Sequence, residues 1–149
     1  MRTLRLDLEY DGTNYHGWQV QPNAPTIQEK LEDALYPILG ERVRVTGAGR
    51  TDAGVHALGQ VGHLRTASER EIGALFRGVN SLLPEDIVMK AVREASPDFH
   101  ARRSARRKRY EYWILNDPTR SAFHYRFFWH VRVGLDLAKM RRAAECLVG

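Results

Sequence analysis

Residues 43–66 read VRVTGAGRTDAGVHALGQVGHLRT and decide the fold, because two predicted strands lie here with no helix between them. Val43 and Val45 open the first strand, which runs into a glycine-rich loop. The second strand is predicted at about residues 61–66. Two such strands form the centre of a β-α-β-β-α-β unit when a helix and a further strand flank them on each side.

A strand and a helix are predicted before this stretch. Residues 4–10 alternate apolar and charged side chains, which is typical of a half-buried strand. Thr26 and Glu29 have the spacing of a capping box, so a helix is predicted to begin there. Apolar residues then recur on one helical face, and Pro37 with Gly40 is predicted to end the helix.

A second helix and a fourth strand are predicted after the central stretch. Ser68 and Glu71 again have capping-box spacing, an apolar helical face follows, and Pro84 is predicted to stop the helix. Residues 87–93 form a short apolar run, which favours a strand. The order β-α-β-β-α-β predicts an α+β fold with a ferredoxin-like antiparallel sheet, and we assign it to a first domain at residues 1–95.

The remaining residues, 96–149, predict only the start of a second α/β domain. Alternating apolar residues indicate strands near 110–115 and 127–133, and Asp136 is predicted to cap a last helix. Two strands offer little sheet against which that helix can bury its apolar face. We therefore expect either that the natural protein continues beyond Gly149 or that this piece packs against a partner.

Composition excludes several classes of protein. The chain has 149 residues and a single cysteine, Cys146, so it has neither an internal disulfide nor a Cys-x-x-Cys zinc pair. No apolar run approaches the roughly 18 residues of a membrane span, and the first residues lack the apolar core of a secretory signal. A cytoplasmic protein without a membrane segment is the expectation.

Positive charge is concentrated in one segment, the basic run, residues 102–109. Residues 100–149 carry 12 Lys and Arg against 4 Asp and Glu, within a chain of net charge +5. The strongest candidates for contact with a nucleic-acid backbone are Arg102, Arg106, Arg107 and Lys108. A solvated basic loop explains the same residues equally well.

The loop at residues 47–57 is the first candidate for chemistry. It has neither the third glycine of a dinucleotide fingerprint nor the Gly-Lys-Ser/Thr of a P-loop. It presents Arg50, Asp52 and His56 between glycines that permit close approach of a ligand. Asp52 and Arg50 form either a structural ion pair or a site in which an ionised Asp52 acts as nucleophile or base.

Aromatic residues supply two further candidates. Tyr110 follows the basic run, so its ring either stacks on a base held outside its helix or packs within a strand. The loop at residues 10–21 mixes polar and aromatic residues, which suits base or ribose recognition and equally a surface loop anchored by Trp18. The six histidines show no metal-ligand spacing, so no metal site is predicted.

Several of these segments together resemble the tRNA pseudouridine synthase A family. The resemblance covers nearly the whole chain in the right order, and the block around Asp52 is highly specific. The matching motifs are Tyr10-Asp11-Gly12-Thr13, His16-Gly17-Trp18-Gln19, Gly47-Ala48-Gly49-Arg50-Thr51-Asp52-Ala53-Gly54-Val55-His56-Ala57, Phe99-His100-Ala101-Arg102 and Arg109-Tyr110.

The resemblance implies a pseudouridine synthase fold and an isomerase that converts uridines 38–40 of the tRNA anticodon stem-loop to pseudouridine. The catalytic aspartate of the family falls on Asp52, and the tyrosine that stacks on the uracil falls on Tyr110. The arginine that helps to hold the flipped nucleotide falls on Arg50. The family uses no cofactor, binds tRNA and works as a homodimer.

Length separates this chain from its family, whose members are longer and build the cleft between two similar halves. The basic partner of the aspartate comes from the later part, so we expect this 149-residue piece alone to be weakly active or inactive. The alternative is a non-catalytic RNA-binding module of the same fold. A carboxylate near an anionic backbone lowers affinity, so Asp52 favours the enzyme. A third hypothesis, a small ferredoxin-like interaction domain, does not explain the residues of the loop around Asp52.

Overall fold

The computed structural model describes residues 1–148, and the chain divides into two compact units, Met1–Arg107 and Lys108–Gly149. The first unit contains six elements in the predicted order β-α-β-β-α-β. They are β1 (Arg2–Tyr10), α1 (Ile27–Leu39), β2 (Thr46–Gly47), β3 (Ala57–Thr66), α2 (Ile72–Leu82) and β4 (Ile87–Ala95).

The four strands form one antiparallel sheet in the order β2-β3-β1-β4. The long central strand β1 pairs with β3 on one side and with β4 on the other, so Leu6 lies between Gly62 and Val92. This order is that of the split β-α-β unit predicted from the sequence. The α+β class and the antiparallel ferredoxin-like sheet are therefore confirmed.

The core lies between this sheet and the two helices of the first unit. Leu4, Leu6 and Leu8 of β1 are fully buried, which is the half-buried alternation predicted for this strand. They belong to one cluster with the apolar faces of both helices, represented by Leu31 and Leu75. Full burial of each such side chain stabilises the fold by about 1.5–3 kcal/mol before entropic costs.

Two local predictions in the first unit are wrong in detail. Pro37 lies inside α1, which ends at Leu39 with Gly40 as a left-handed C-cap. Glu71 itself caps α2, because its carboxylate reaches the first free N–H groups of the helix; the predicted capping box at Ser68 does not form. The Thr26 cap of α1 is confirmed.

β2 is much shorter than predicted, because side chains of α1 form hydrogen bonds with the backbone N–H and carbonyl of Val45. The Val45 N–H donates to Glu32 Oε1 at 2.9 Å, and its carbonyl accepts from Gln28 Nε2 at 2.8 Å. Ladder pairing therefore begins only at Thr46. Val45 still has no exposed surface and contributes to the core.

The second unit contains β5 (Ile114–Asn116), β6 (Trp129–Val131) and α3 (Leu137–Glu145). The two strands pair in parallel over three residues each, so the predicted strands exist but are short. Asp136 caps α3 by accepting the Lys139 N–H at 3.0 Å, as predicted. No residue of α3 is buried. Among the described residues no helix is long and apolar enough to cross a membrane.

The predicted domain boundary near residue 95 coincides with the end of β4, and the following segment clusters with the first unit up to Arg107. Ala101 in this segment is buried, and its N–H donates to the ring of His63 on β3. The assignment of residues 96–149 to a second domain stays a prediction.

Candidate active site

The glycine-rich loop between β2 and β3 presents two charged side chains to solvent. Arg50 and Asp52 are both exposed. Within residues 1–148 neither side chain forms a hydrogen bond or an ion pair, so the structural ion pair considered above does not form. The backbone of Asp52 is held in a turn, in which its carbonyl accepts the Val55 N–H at 3.2 Å. The Asp52 carboxylate thus has no partner among the described residues, although its backbone is held in place.

The loop that follows β1 supports the Asp52 loop at Gly17. Trp18 N–H donates to the Thr51 carbonyl at 3.0 Å, next to Asp52 in the chain. Gly17 has φ of +84°, and a Cβ there would lie 2.4 Å from the Thr51 oxygen. Only glycine allows this approach, because a side chain would be strained and would collide with the carbonyl.

Trp18 anchors the loop that follows β1. This was one of the two interpretations of that loop in the sequence analysis. The Trp18 side chain is only 2% exposed, and its ring lies so close to Gly47 that a Cβ there would meet it at 2.8 Å. Tyr15 is also buried, and its hydroxyl donates to Asp86 Oδ1 at 2.5 Å. Burial, followed by the neighbouring Asp86, raises the pKa of Tyr15 well above its usual value. These aromatic residues therefore build the scaffold of the loop.

A second set of contacts holds the far end of the Asp52 loop. His56 Nδ1 lies 3.1 Å from the Gly12 nitrogen and 2.9 Å from the Asp11 carboxylate. A Cβ at Gly12 would lie 2.1 Å from the Val55 oxygen, so the two loops approach closely here as well. Gly54 adopts φ of +76° between these contacts, and its N–H donates to the Tyr15 carbonyl at 3.1 Å.

A third set of contacts comes from the sheet itself. The Tyr10 hydroxyl at the end of β1 lies 2.8 Å from Thr51 Oγ1. Gln60 on β3 donates to the Gly49 carbonyl at 2.9 Å and to the Tyr10 oxygen at 3.4 Å. Burial raises the pKa of Tyr10, so its hydroxyl stays protonated as a hydrogen-bonding group at neutral pH. Gln60 is thus a supporting residue that sequence reasoning missed, and the contact between Tyr10 and Thr51 was not predicted.

The basic run is exposed along its whole length. Arg109 pairs with Glu111 at 2.6 Å. In the described part of the chain, the remaining basic side chains of the run have no hydrogen bond or ion pair with protein groups. These are Arg102, Arg103, Arg106, Arg107 and Lys108. Uncompensated cations of this kind are suited to an anionic partner.

Tyr110 belongs to the second unit and is 69% exposed. It lies outside β5, so the strand-packing explanation for this residue is wrong. Its ring makes no aromatic contact within residues 1–148 and is available for stacking. The described residues contain no group of three or more His, Cys, Asp or Glu side chains that could hold a metal ion.

Comparison with known proteins shows which family the chain resembles. A family model described as tRNA pseudouridine synthase matches residues 8–102, which include the Asp52 loop and its supporting loop. The protein named tRNA pseudouridine synthase A from Ruminiclostridium cellulolyticum is 51% identical over all 149 residues. Proteins of the same name from Pelobacter propionicus and Nitrosomonas europaea are 48% and 49% identical over 100% and 97% of the chain.

The chain spans only part of each relative. It covers 61% of the length of the Ruminiclostridium and Pelobacter proteins and 53% of the Nitrosomonas protein. The family match nevertheless extends over more than half of the chain, from the end of β1 to the start of the basic run. We conclude that the chain belongs to the tRNA pseudouridine synthase family.

Proposed function

We propose that the protein containing this chain isomerises uridines 38–40 of the tRNA anticodon stem-loop to pseudouridine, with Asp52 as the catalytic carboxylate. The observation that carries the proposal is the exposed Asp52 side chain, which has no partner within residues 1–148 although three sets of contacts fix its loop. A structural aspartate would use its carboxylate to hold the fold, whereas this one leaves it available to a substrate.

The reaction is an isomerisation, so the product has the same atoms as the substrate and no cofactor has to supply or remove a group. The N1–C1′ bond of uridine breaks, the uracil rotates, a C5–C1′ bond forms, and the proton on C5 is released while N1 gains one. Asp52 acts in this sequence as nucleophile or general base. Its fixed backbone favours catalysis, because a preorganised group needs little reorganisation to reach the reacting atoms.

The target base has to leave its helix before the carboxylate can reach it. Tyr110 is proposed to stack on the uracil and keep it in place after the glycosidic bond has broken. Arg50, which is exposed and unpaired among the described residues, is proposed to hold the flipped nucleotide through its phosphate.

The basic run is proposed to bind the tRNA backbone through Arg102, Arg106, Arg107 and Lys108. Exposed cations without protein partners in the described chain support this assignment, since binding then breaks no existing ion pair. We further propose a homodimer in the cytoplasm. In this proposal residues 1–95 form the domain with the catalytic loop, and residues 96–149 begin a second α/β domain.

Mapping of the product tests the proposed substrate. An unmodified tRNA transcript is incubated with the product of the full open reading frame, treated with carbodiimide and read by primer extension. Stops that mark positions 38–40 as modified are expected where those positions are uridines. Stops elsewhere would contradict the anticodon-arm assignment, and tight tRNA binding without any stop would favour the non-catalytic RNA-binding module. The 149-residue chain, assayed in parallel, is expected to be weakly active or inactive.

A further inference from the structure

We infer that His63 is a positioning residue for tRNA binding, because its buried ring fixes the segment from which the basic run begins. The inference rests on the proposed function. His63 lies in the middle of β3, away from the Asp52 loop at the start of that strand, and its side chain is not required for the chemistry described above. Its ring is directed toward residues 99–101, on the chain immediately before the basic run.

Three consecutive residues contact the His63 ring. The Ala101 N–H donates to Nδ1 at 3.2 Å, and both residues are buried. The ring centroid lies 4.7 Å from that of His100 and 6.0 Å, edge to face, from that of Phe99. The hydrogen bond and the two ring contacts hold residues 99–101 against the sheet, and Arg65 of β3 also donates to the Pro97 carbonyl at 3.2 Å.

The basic run depends on this anchor for its own position. The backbone of residues 100–104 forms a turn, in which the Ser104 N–H donates to the His100 carbonyl at 2.8 Å. From residue 105 to residue 108 the described backbone forms no hydrogen bond with protein groups. The turn at His100 is therefore the last fixed point before Arg106, Arg107 and Lys108.

The anchor requires a neutral imidazole. Nδ1 can accept the Ala101 N–H only through its lone pair, so the ring proton has to be on Nε2. Burial lowers the pKa of His63, and the neighbouring His100, Arg65 and Arg103 lower it further, while a hydrogen bond with the Thr46 backbone opposes these effects. Protonation would place an N–H on Nδ1 against the Ala101 N–H and would break the anchor.

The charged and titratable side chains that lower the pKa of His63 come from β3 and from the segment after β4. On the strand next to it, Arg5 lies opposite His63 in the register, where it pairs with Asp7. The groups around the ring come from β1, β3 and the segment after β4, and they are Arg5, Asp7, Arg65, His100 and Arg103. Only one of these is an anion, and Arg5 and Arg93 already pair with it. The surroundings therefore keep His63 neutral at physiological pH.

This arrangement predicts an unusual sign for the pH dependence of tRNA binding. Acidification adds positive charge to histidines, which by itself strengthens binding to a polyanion. Loss of the His63 anchor acts in the opposite direction, because the cations after residue 104 then have to be ordered by the RNA at an entropic cost. A fall in tRNA affinity on acidification, confined to proteins with His63, is the signature of the anchor.

The experiment compares His63→Phe and His63→Asn in the product of the full open reading frame, with unmodified tRNA transcript as the probe. The phenylalanine keeps a ring against Phe99 and His100 but has no acceptor, whereas the asparagine oxygen can replace Nδ1. His124→Phe is the matched control, because this exposed histidine packs its ring on Phe128 and lies outside the anchor. Dissociation constants between pH 7.5 and the lowest pH at which the wild type stays folded, kcat, KM and hydrogen exchange of the Ala101 amide are measured.

We expect His63→Phe to weaken tRNA binding about five- to tenfold at pH 7.5 and to raise KM with kcat unchanged. His63→Asn should bind within about twofold of the wild type and should lose the acid weakening. The Ala101 amide should exchange faster only in His63→Phe. Unchanged binding in His63→Phe despite faster Ala101 exchange would overturn the inference, as would failure of His63→Asn to restore binding.

Two further outcomes are informative. If His63→Phe does not fold, the wild type and His63→Asn decide the question, and equal pH dependence of their tRNA affinities would overturn the inference. If the wild type neither binds tRNA nor forms product, the proposed function fails. Slow Ala101 exchange in that same protein would still support the anchor, and fast exchange would contradict it.

Discussion

Replacement of Gly17 by alanine tests whether the loop after β1 sets the position of Asp52. Gly17 has φ of +84°, and a Cβ there would lie 2.4 Å from the Thr51 oxygen. That oxygen already accepts the Trp18 N–H at 3.0 Å, so it cannot move away without breaking this hydrogen bond. Gly17→Ala should therefore displace Thr51 and, with it, the adjacent Asp52.

The size of the effect follows from two contributions. Alanine in the left-handed region costs about 1–2 kcal/mol. Loss of the Trp18 hydrogen bond adds about 0.5–1.5 kcal/mol, so the free energy of unfolding should fall by about 1.5–3.5 kcal/mol. A displacement of the reacting group by about 1 Å can lower the rate a hundredfold, and we expect a decrease in kcat of about this size. Affinity for tRNA should change little, because the basic run is not touched.

Gly40→Ala is the matched control. Gly40 also has a positive φ, +75°, but a Cβ there would meet no atom of another part of the chain within 4 Å. The Gly40→Ala variant should lose about 1–2 kcal/mol of stability from the backbone conformation alone and keep its kcat. Urea unfolding and single-turnover product formation are measured for both variants. Equal kcat values for Gly17→Ala and Gly40→Ala would refute the claim that the approach of Gly17 to Thr51 positions Asp52.

Three further predictions concern binding, stacking and pH. Alanine at Arg106, Arg107 and Lys108 should weaken tRNA binding and reduce the slope of log K against log salt by about 0.9 for each phosphate that is no longer neutralised; an unchanged slope would mean that these residues face away from RNA. Tyr110→Phe should keep tRNA binding and uracil stacking, whereas Tyr110→Ala should have a reduced kcat; if Tyr110→Phe is inactive, the hydroxyl has a chemical role. The pKa of Glu71 is lowered by hydrogen bonds from two backbone N–H groups at the start of α2. The stabilising effect of the Glu71 carboxylate is therefore present above its ordinary pKa of 4.5 and disappears as the pH falls through the lowered value. Glu71→Ala should lower the unfolding midpoint at pH 7 but not at acid pH. An equal decrease at both pH values would contradict a charged cap.

Periodicity and turn residues were sufficient to predict the order of elements in the first unit. Leu4, Leu6 and Leu8 alternate with charged residues because one face of β1 lies on the core. Element lengths were less predictable, since they depend on tertiary contacts. β2 is short because Glu32 and Gln28 of α1 bond the backbone of Val45, and no local pattern encodes this contact.

The contacts that support the candidate loop could not be predicted from the sequence, and the roles of the site residues stay a prediction. The glycines around Arg50 and Asp52 draw attention to these residues in the sequence, and the structure shows that both side chains are exposed. The contact between Tyr10 and Thr51 joins residues 41 positions apart, and only the sheet register brings them together. The absence of an Arg50–Asp52 ion pair within residues 1–148 likewise depends on side-chain directions that spacing does not determine.

The central claim is that Asp52 performs chemistry and does not hold the fold. The most direct measurement is tritium release from tRNA labelled at C5 of uridine, with wild type and Asp52→Asn of the full open reading frame, beside tRNA binding and urea unfolding. The account predicts release by the wild type, no detectable release by Asp52→Asn, and nearly unchanged binding and stability. Release by Asp52→Asn at the wild-type rate, or an absence of release that is explained by unfolding of the variant, would contradict it.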